Sequence, residues 1–422
     1  MSEHPSGSDK TGSLEFSPSK LDPRFLSEHF RQNMPVAAQW GYFDHAAVGP
    51  LSGPARTALQ TFVDQGTRDG DLHWPEWAKG LSGARRAVAA GIGASPSEIA
   101  FVANTTEGIN LVADGLNWRD GDNLVVPAGE FPSNHYAWRQ LSDRGVELRV
   151  VPTGALGEFD PADVAARCDS RTRLIVTSWV GFASGFRVDL DALAQVANDV
   201  GCQLFVDAIQ GLGVFPLDVS RTPIDYLAAD GHKWLLSPEG FGVAYVREEH
   251  ITRLRPSHLG WNSVVNPFDY QDLTQPLRTD AQRFEGGSHN LLAAQALRAS
   301  VDLLSSSGWG KDSVALADNV LRITDELVER LRWRGATIHS DRRPRHASGI
   351  VSFSFDGHDP VALRKSLIER SVVLSCRAGR LRAALHGYNT VEDLDRLTPP
   401  SVNCFDASGH GGSTIRSRFE RL

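Results

Sequence analysis

Between residues 98 and 246 the chain alternates strand-like apolar runs with helical patterns, and this recurrence constrains the fold more than any other feature. The runs are EIAFVA (98–103), NLVVPA (123–128), ELRVVP (147–152), RLIVTSWV (173–180), CQLFVDA (202–208), IDYLAAD (224–230) and GVAYV (242–246). Between them GINLVADGL (108–116) and LDALAQVANDVG (190–201) carry apolar residues at helical spacing. Such alternation predicts an α/β fold, a mainly parallel seven-stranded sheet with crossover helices. Continuous Val/Ile/Leu/Phe runs predict that the sheet is buried on both faces.

After Gly287 the pattern changes. Residues 291–306 and 320–335 read as long amphipathic helices, followed by GIVSFSF (349–355), a helix at 359–371 and VVLSCRAG (372–379). A chain of 422 residues exceeds one small core, so two domains are expected. They are a large one at 45–290 and a smaller α+β one at 291–398. Segment 21–44 is expected to pack on the smaller domain. Residues 1–20 read as a disordered leader without the apolar core of a signal peptide, and 399–422 as a flexible tail.

A net charge of −8 argues against nucleic acid or an anionic membrane as partner, and no apolar run is long enough to span a bilayer. The four cysteines, Cys168, Cys202, Cys376 and Cys404, are scattered without metal-ligand spacing. They suggest a reducing cytoplasm and no metal centre.

In an open parallel sheet, ligands bind beyond the carboxyl ends of the strands. Three strand ends there carry chemistry. Asn104-Thr105-Thr106-Glu107-Gly108 opens a helix, where hydroxyls and free N–H groups can cradle a phosphate; a plain helix cap is the competing reading. Asp207 ends one strand with Gln210 close behind, and a structural salt bridge is the competing reading there. One strand later, DGHKWLLSPE (230–239) places Lys233 in a turn, where desolvation would make its amine nucleophilic. A phosphate cradle, a carboxylate and a lysine in this order are what pyridoxal phosphate requires.

These residues lie within motifs that resemble the class V aminotransferase-fold enzymes, a branch of pyridoxal-phosphate fold type I that includes cysteine desulfurases, selenocysteine lyases, kynureninase and isopenicillin-N epimerase. The motifs are YFDHAAVGP (42–50), NTTEGINLVA (104–113), EFPSN (130–134), VDAIQGLG (206–213), DGHKWLLSPEG (230–240), RFEGGSHN (283–290) and RAALHGYNT (382–390), covering about residues 40–398. The resemblance implies that Lys233 forms the Schiff base and moves the substrate α-proton. It implies that Asp207 pairs with the pyridinium nitrogen, Gln210 with the phenolate oxygen, and Thr105, Thr106 and His232 with the phosphate. Phe131 takes the ring-stacking place. Ser288 matches a hydroxyl that reaches the phosphate of the neighbouring subunit, implying a homodimer with shared active sites. Arg382 matches the arginine that binds the substrate α-carboxylate, with Arg377 and His45 lining the same mouth.

Two departures narrow the activity. Desulfurases carry a nucleophilic cysteine on a loop after their RAG-type motif, whereas here RAG (377–379) runs directly into RLRAAL. Cys376 precedes that point and reads as a small buried hydrophobe. Asp230 replaces a phosphate-facing serine and is expected to turn toward a backbone or arginine partner. Trp74, Trp77, Trp179, Phe182 and Trp261 either line an aromatic substrate pocket or serve packing. The expected function is a pyridoxal-phosphate enzyme acting on an amino acid, a C–S lyase or epimerase without a persulfide cysteine. A class V aminotransferase and a non-catalytic pyridoxal-phosphate-binding protein are the alternatives. A nicotinamide dehydrogenase lacks its GxGxxG signature here.

Overall fold

The computed structural model describes residues 23–399. The leader expected at 1–20, the tail beyond Pro399 and Cys404 within it lie outside the described residues.

A two-residue strand, β1 (Gly41–Tyr42), precedes the large sheet. The seven strands of that sheet are β2 (Ile99–Val102), β3 (Asn123–Pro127), β4 (Glu147–Val151), β5 (Thr172–Ser178), β6 (Gln203–Asp207), β7 (Tyr226–Asp230) and β8 (Gly242–Val246). Their order across the sheet is β2-β8-β7-β6-β5-β3-β4. Strands β4, β3, β5, β6 and β7 run parallel, while β8 is antiparallel to both of its neighbours. The segment 231–241 is too short to carry a crossover helix back across the sheet, so β8 returns antiparallel to β7. That short return holds Lys233.

Alternate residues of the strands serve two cores, as the two-residue period of a strand requires. Phe101, Val125, Ile175, Leu204, Val206, Leu227 and Val243 face one side, and Val102, Val126, Val176, Phe205, Ala228 and Ala244 the other. The helix Thr105–Gly115 covers the second face. Gly108 permits its close approach, because a Cβ there would come within 2.6 Å of Ala228 Cβ.

The second half is built from the helices Leu291–Ser306 and Ala315–Trp333 and five short strands. The second helix starts earlier than its apolar period suggested. The strands are β9 (Thr337–Ile338), β10 (Ile350–Ser354), β11 (Val372–Val373), β12 (Ser375–Arg377) and β13 (Arg380–Ala384). Four of them form an antiparallel sheet in the order β12-β13-β10-β9. β11 pairs in parallel with β1 instead. Arg377 faces Arg380 in register, so β12 and β13 are joined by a two-residue turn, Ala378-Gly379, with φ of 49° and 71°. Left-handed values at both positions match a type I′ hairpin turn, whose twist suits the flanking strands. Among the described residues no helix is long and apolar enough to cross a membrane.

Candidate active site

Asn104, at the end of β2, caps the following helix by accepting the Glu107 N–H at 2.9 Å. The cap expected of Thr105 or Thr106 is thus made by their neighbour, and both hydroxyls are left for other partners. Thr105 Oγ1 accepts the Asp230 N–H at 2.9 Å, tying the helix start to the end of β7. Thr106 Oγ1 lies 2.8 Å from Ser133 Oγ. Asp207 closes β6, and the turn after β7 presents His232 and Lys233. One pocket of about 620 Å³ is lined by Thr105, Thr106, Phe131, Asp207, Gln210, His232 and Lys233, with Asn104, Ser133, Ser178, Val180, Phe182, Ile209 and Asp230 completing it.

The turn that carries Lys233 is held from outside. Gly49 donates its N–H to His232 O at 2.6 Å, and a Cβ at Gly49 would fall 2.1 Å from Lys233 O. Only a residue without a side chain tolerates that approach. Gln210 is oriented by Trp234, whose indole N–H donates to Oε1 at 2.7 Å. An indole can only donate, so the Gln210 amide turns its NH2 away from Trp234. That NH2 gives one bond, at 2.9 Å, to Ala46 O.

Charge in the pocket is shifted by burial. Desolvation pulls the Lys233 amine down to about 8, against the attraction of Asp207. Desolvation, reinforced by the nearby Glu130 carboxylate, pushes Asp207 up to about 7, while the Ile209 N–H and Lys233 draw it back. Lys233 Nζ stands 5.8 Å from the centre of the Phe131 ring, and Phe182 meets that ring edge-on at 5.3 Å. His232 Nδ1 lies 2.9 Å from Asp230 Oδ2. The angle makes no hydrogen bond, so buried His232 Nδ1 and Asp230 Oδ1 both lack a hydrogen-bond partner. Asp230 therefore finds neither the backbone nor the arginine partner expected for its side chain; its carboxylate faces the histidine.

The other sequence candidates lie around this pocket. Arg382 is buried behind Phe182, donating from one Nη to Phe182 O at 2.6 Å and from Nε to Ser375 Oγ at 3.1 Å. Burial lowers its guanidinium to about 10, and Asp44 lies 3.5 Å away. Arg377 is exposed and bonds the neighbouring Cys376 carbonyl at 2.8 Å. Ser288 is exposed in a separate cleft with Glu107, His258 and Asn290.

His45 is not at a mouth. It is fully buried, with Nδ1 3.0 Å from Ala384 O and Nε2 2.9 Å from Tyr388 Oη, inside a ring cluster with Trp234 and His386. Both nitrogens are engaged by the fold. Of the aromatic candidates only Phe182 reaches the lysine pocket. Trp179 and Trp77 are core residues, and Trp74 and Trp261 meet Phe268 on the surface. Cys376 Sγ donates to Pro360 O at 3.2 Å, and burial raises its thiol. That is the reverse of thiolate activation.

Two further residues of these motifs shape the site, Glu130 and Glu285. Glu130, the first residue of EFPSN, accepts the Ser178 N–H at 2.7 Å and the Asn134 amide at 2.8 Å. Glu285, in RFEGGSHN, forms a buried two-pronged ion pair with Arg85, at 2.6 and 2.9 Å. It also accepts from Phe101 N at 2.7 Å and lies 2.6 Å from His289 Nε2, locking the loop that ends in Ser288. The signal for each was a carboxylate inside an otherwise apolar or Gly-rich motif.

A desolvated lysine in the turn after β7 and a buried carboxylate at the end of β6 meet beside a helix start that carries two hydroxyls, an arrangement suited to a pyridoxal-phosphate enzyme on a fold-type-I scaffold. The family model described as "Aminotransferase class-V" matches residues 42–397. The chain belongs to the class V aminotransferase family. A probable cysteine desulfurase of Methanothermobacter thermautotrophicus is 30% identical over 393 residues, covering 88% of this chain and 96% of that protein. An uncharacterized aminotransferase, YcbU, of Bacillus subtilis is 26% identical, covering 87% and 95%. Among solved structures, the apo cysteine desulfurase of Thermococcus onnurineus superposes with a TM-score of 0.79 at 24% identity, covering 88% and 96%. The cystine C–S lyase C-DES, bound to its product cysteine persulfide, gives a TM-score of 0.78 at 24% identity, covering 86% and 98%. Both share the fold.

Pyridoxal phosphate is the cofactor expected of this family, and the residues fit it. The hydroxyls and N–H groups at the helix start suit a phosphate, and the depressed Lys233 amine suits an aldehyde.

Proposed function

We propose that the protein acts on an amino acid by elimination at a C–S bond or by epimerisation, without a persulfide-forming cysteine of its own. The two-residue turn Ala378-Gly379 carries this reading. A desulfurase-type cysteine loop would have to stand there, and a type I′ hairpin leaves it no residues. The raised thiol of Cys376 supports the same conclusion.

In this reading Lys233 holds the cofactor covalently and afterwards moves the proton at the substrate Cα, for which an amine titrating near 8 is well matched to neutral pH. Asp207 holds the ring nitrogen in its protonated state, Gln210 the phenolate oxygen, Phe131 the ring face, and Thr105, Thr106 and His232 the phosphate. The bound cofactor supplies an electron sink for the pair released when a bond to Cα breaks. Arg382 binds the substrate carboxylate, exchanging its bond to Phe182 O for a paired one, with Arg377 nearby. Ser288 serves the site of a second copy in a homodimer. The buried Glu285 network that fixes the Ser288 loop supports this role, since a residue serving a partner needs a rigid base.

The division into units 45–290 and 291–398, with 21–44 on the smaller one, belongs to the same reading. The pairing of β1 with β11 supports it. Amino transfer stands second, supported by the relative named as an aminotransferase. The test is product analysis of the cofactor-loaded protein with a panel of amino acids. Pyruvate with sulfide from cysteine, pyruvate with cysteine persulfide from cystine, or inverted stereochemistry at Cα supports the proposal; a keto acid with the cofactor left as its amine form replaces it with amino transfer.

A further inference from the structure

A second cavity adjoins the lysine pocket. Ser178 lines both. Phe131 and Phe182 line the lysine pocket, and their chain neighbours Glu130, Gly181 and Ala183 line the second cavity, so the two spaces share a border along these segments. Arg380, from the β12–β13 hairpin, also lines the second cavity.

Arg380 shares a face with two other arginines. Arg377 is its cross-strand partner, and Arg382 lies two residues along β13, about 6.6 Å away at strand spacing. The intervening Leu381 and the following Ala383 point into the core. Among the described residues Arg377 and Arg380 make no ion pair, and Asp44, at 3.5 Å from Arg382, is the one carboxylate within ion-pair range of the three. Glu130 does not answer this charge, because its carboxyl is turned to Ser178 and Asn134. Of the three, Arg380 lines the cavity, and with no ion-pair partner among the described residues its guanidinium suits an incoming anion.

We propose that this cavity receives the substrate side chain, and that the substrate is an α-amino acid whose side chain ends in a second anionic group held by Arg380. The inference rests on the reading that Arg382 takes the α-carboxylate. The substrate is then a dicarboxylic amino acid, one whose chain also carries the C–S bond where the reaction is an elimination.

The test uses non-reacting ligands on the cofactor-loaded protein. Glutarate and adipate are compared by calorimetry with pentanoate and hexanoate, in the unaltered protein, in Arg380→Gln and in Arg380→Lys. Dicarboxylates are expected to bind roughly tenfold or more tightly than the matched monocarboxylates, the usual scale of a charge-assisted pair. That preference should vanish in Arg380→Gln and survive in part in Arg380→Lys, which keeps the charge. Equal binding of the two classes, or a preference untouched in Arg380→Gln, overturns the inference. Cofactor attachment at residue 233 is read on the same samples. Attachment with no dicarboxylate preference removes this inference and leaves the proposed function standing. An Arg380-dependent preference without attachment supports the anion pocket and removes the proposed function.

Discussion

Asp207 and Lys233 line one pocket from neighbouring strand ends, and each sets the ionisation of the other. Burial penalises both charges; their mutual attraction partly restores them. The pair therefore titrates close to neutrality, with Asp207 near 7 and Lys233 near 8. A surface aspartate and lysine would be separated by more than six units.

Replacing Lys233 by Ala should remove covalent attachment of pyridoxal phosphate. Borohydride reduction followed by peptide mass spectrometry checks this. A reduced cofactor found on any other lysine of this variant would overturn the assignment of Lys233.

Attachment should also depend on pH in a defined direction. The neutral amine is the nucleophile, so the rate of cofactor attachment to the cofactor-free protein should rise as pH climbs through about 8 and level off above it. Stopped-flow absorbance measures this. A rate still rising through pH 10 would mean that the lysine is not desolvated.

The cofactor-free protein should be less stable at neutral pH because of the same pair. The folded-state pKa of Asp207 lies above its unfolded value, so the folded state binds more protons and stability falls as pH rises from about 4 through about 7. Lys233 is depressed, so its part of the stability is recovered only as pH rises above about 8. Asp207→Asn should therefore raise Tm at pH 8 by a few degrees and change it little at pH 4. Differential scanning calorimetry of the cofactor-free protein reads both values.

Cys376→Ala should leave turnover unchanged. The thiol is hydrogen-bonded to Pro360 O and raised by burial, and it lines neither the lysine pocket nor the adjoining cavity. A loss of turnover with unaltered folding, seen in steady-state assays and circular dichroism, would restore a persulfide mechanism.

Glu285→Gln should cost about 3–5 kcal/mol, the scale for breaking a buried ion pair and leaving one charge unpaired. The Arg85 partner is buried, and the same carboxylate also bonds Phe101 N and meets His289. Urea titration measures the loss. A change below about 1 kcal/mol would mean that Arg85 finds another partner or water.

All seven strand runs form within a residue or two of where the sequence put them, six because strands buried on both faces must be continuously apolar; the edge strand β4 departs from that expectation and is mostly unburied. Thr105, Thr106, Asp207 and Lys233 were legible for a related reason: a polar residue at the end of such a run interrupts a pattern with few exceptions. The reversal of β8 followed from loop length, which the sequence contains. Contacts between distant segments were not legible. His45 belongs to an enclosed ring cluster with Tyr388 and His386, more than three hundred residues away in the chain. Glu130 reaches Ser178, and Glu285 reaches Arg85, because sheet order brings them together. Local pattern reports which face of a strand or helix a side chain occupies. Which partner meets it there is decided by packing across the sheet, and so the tertiary structure alone enclosed His45 beside Tyr388 and brought Glu285 to Arg85.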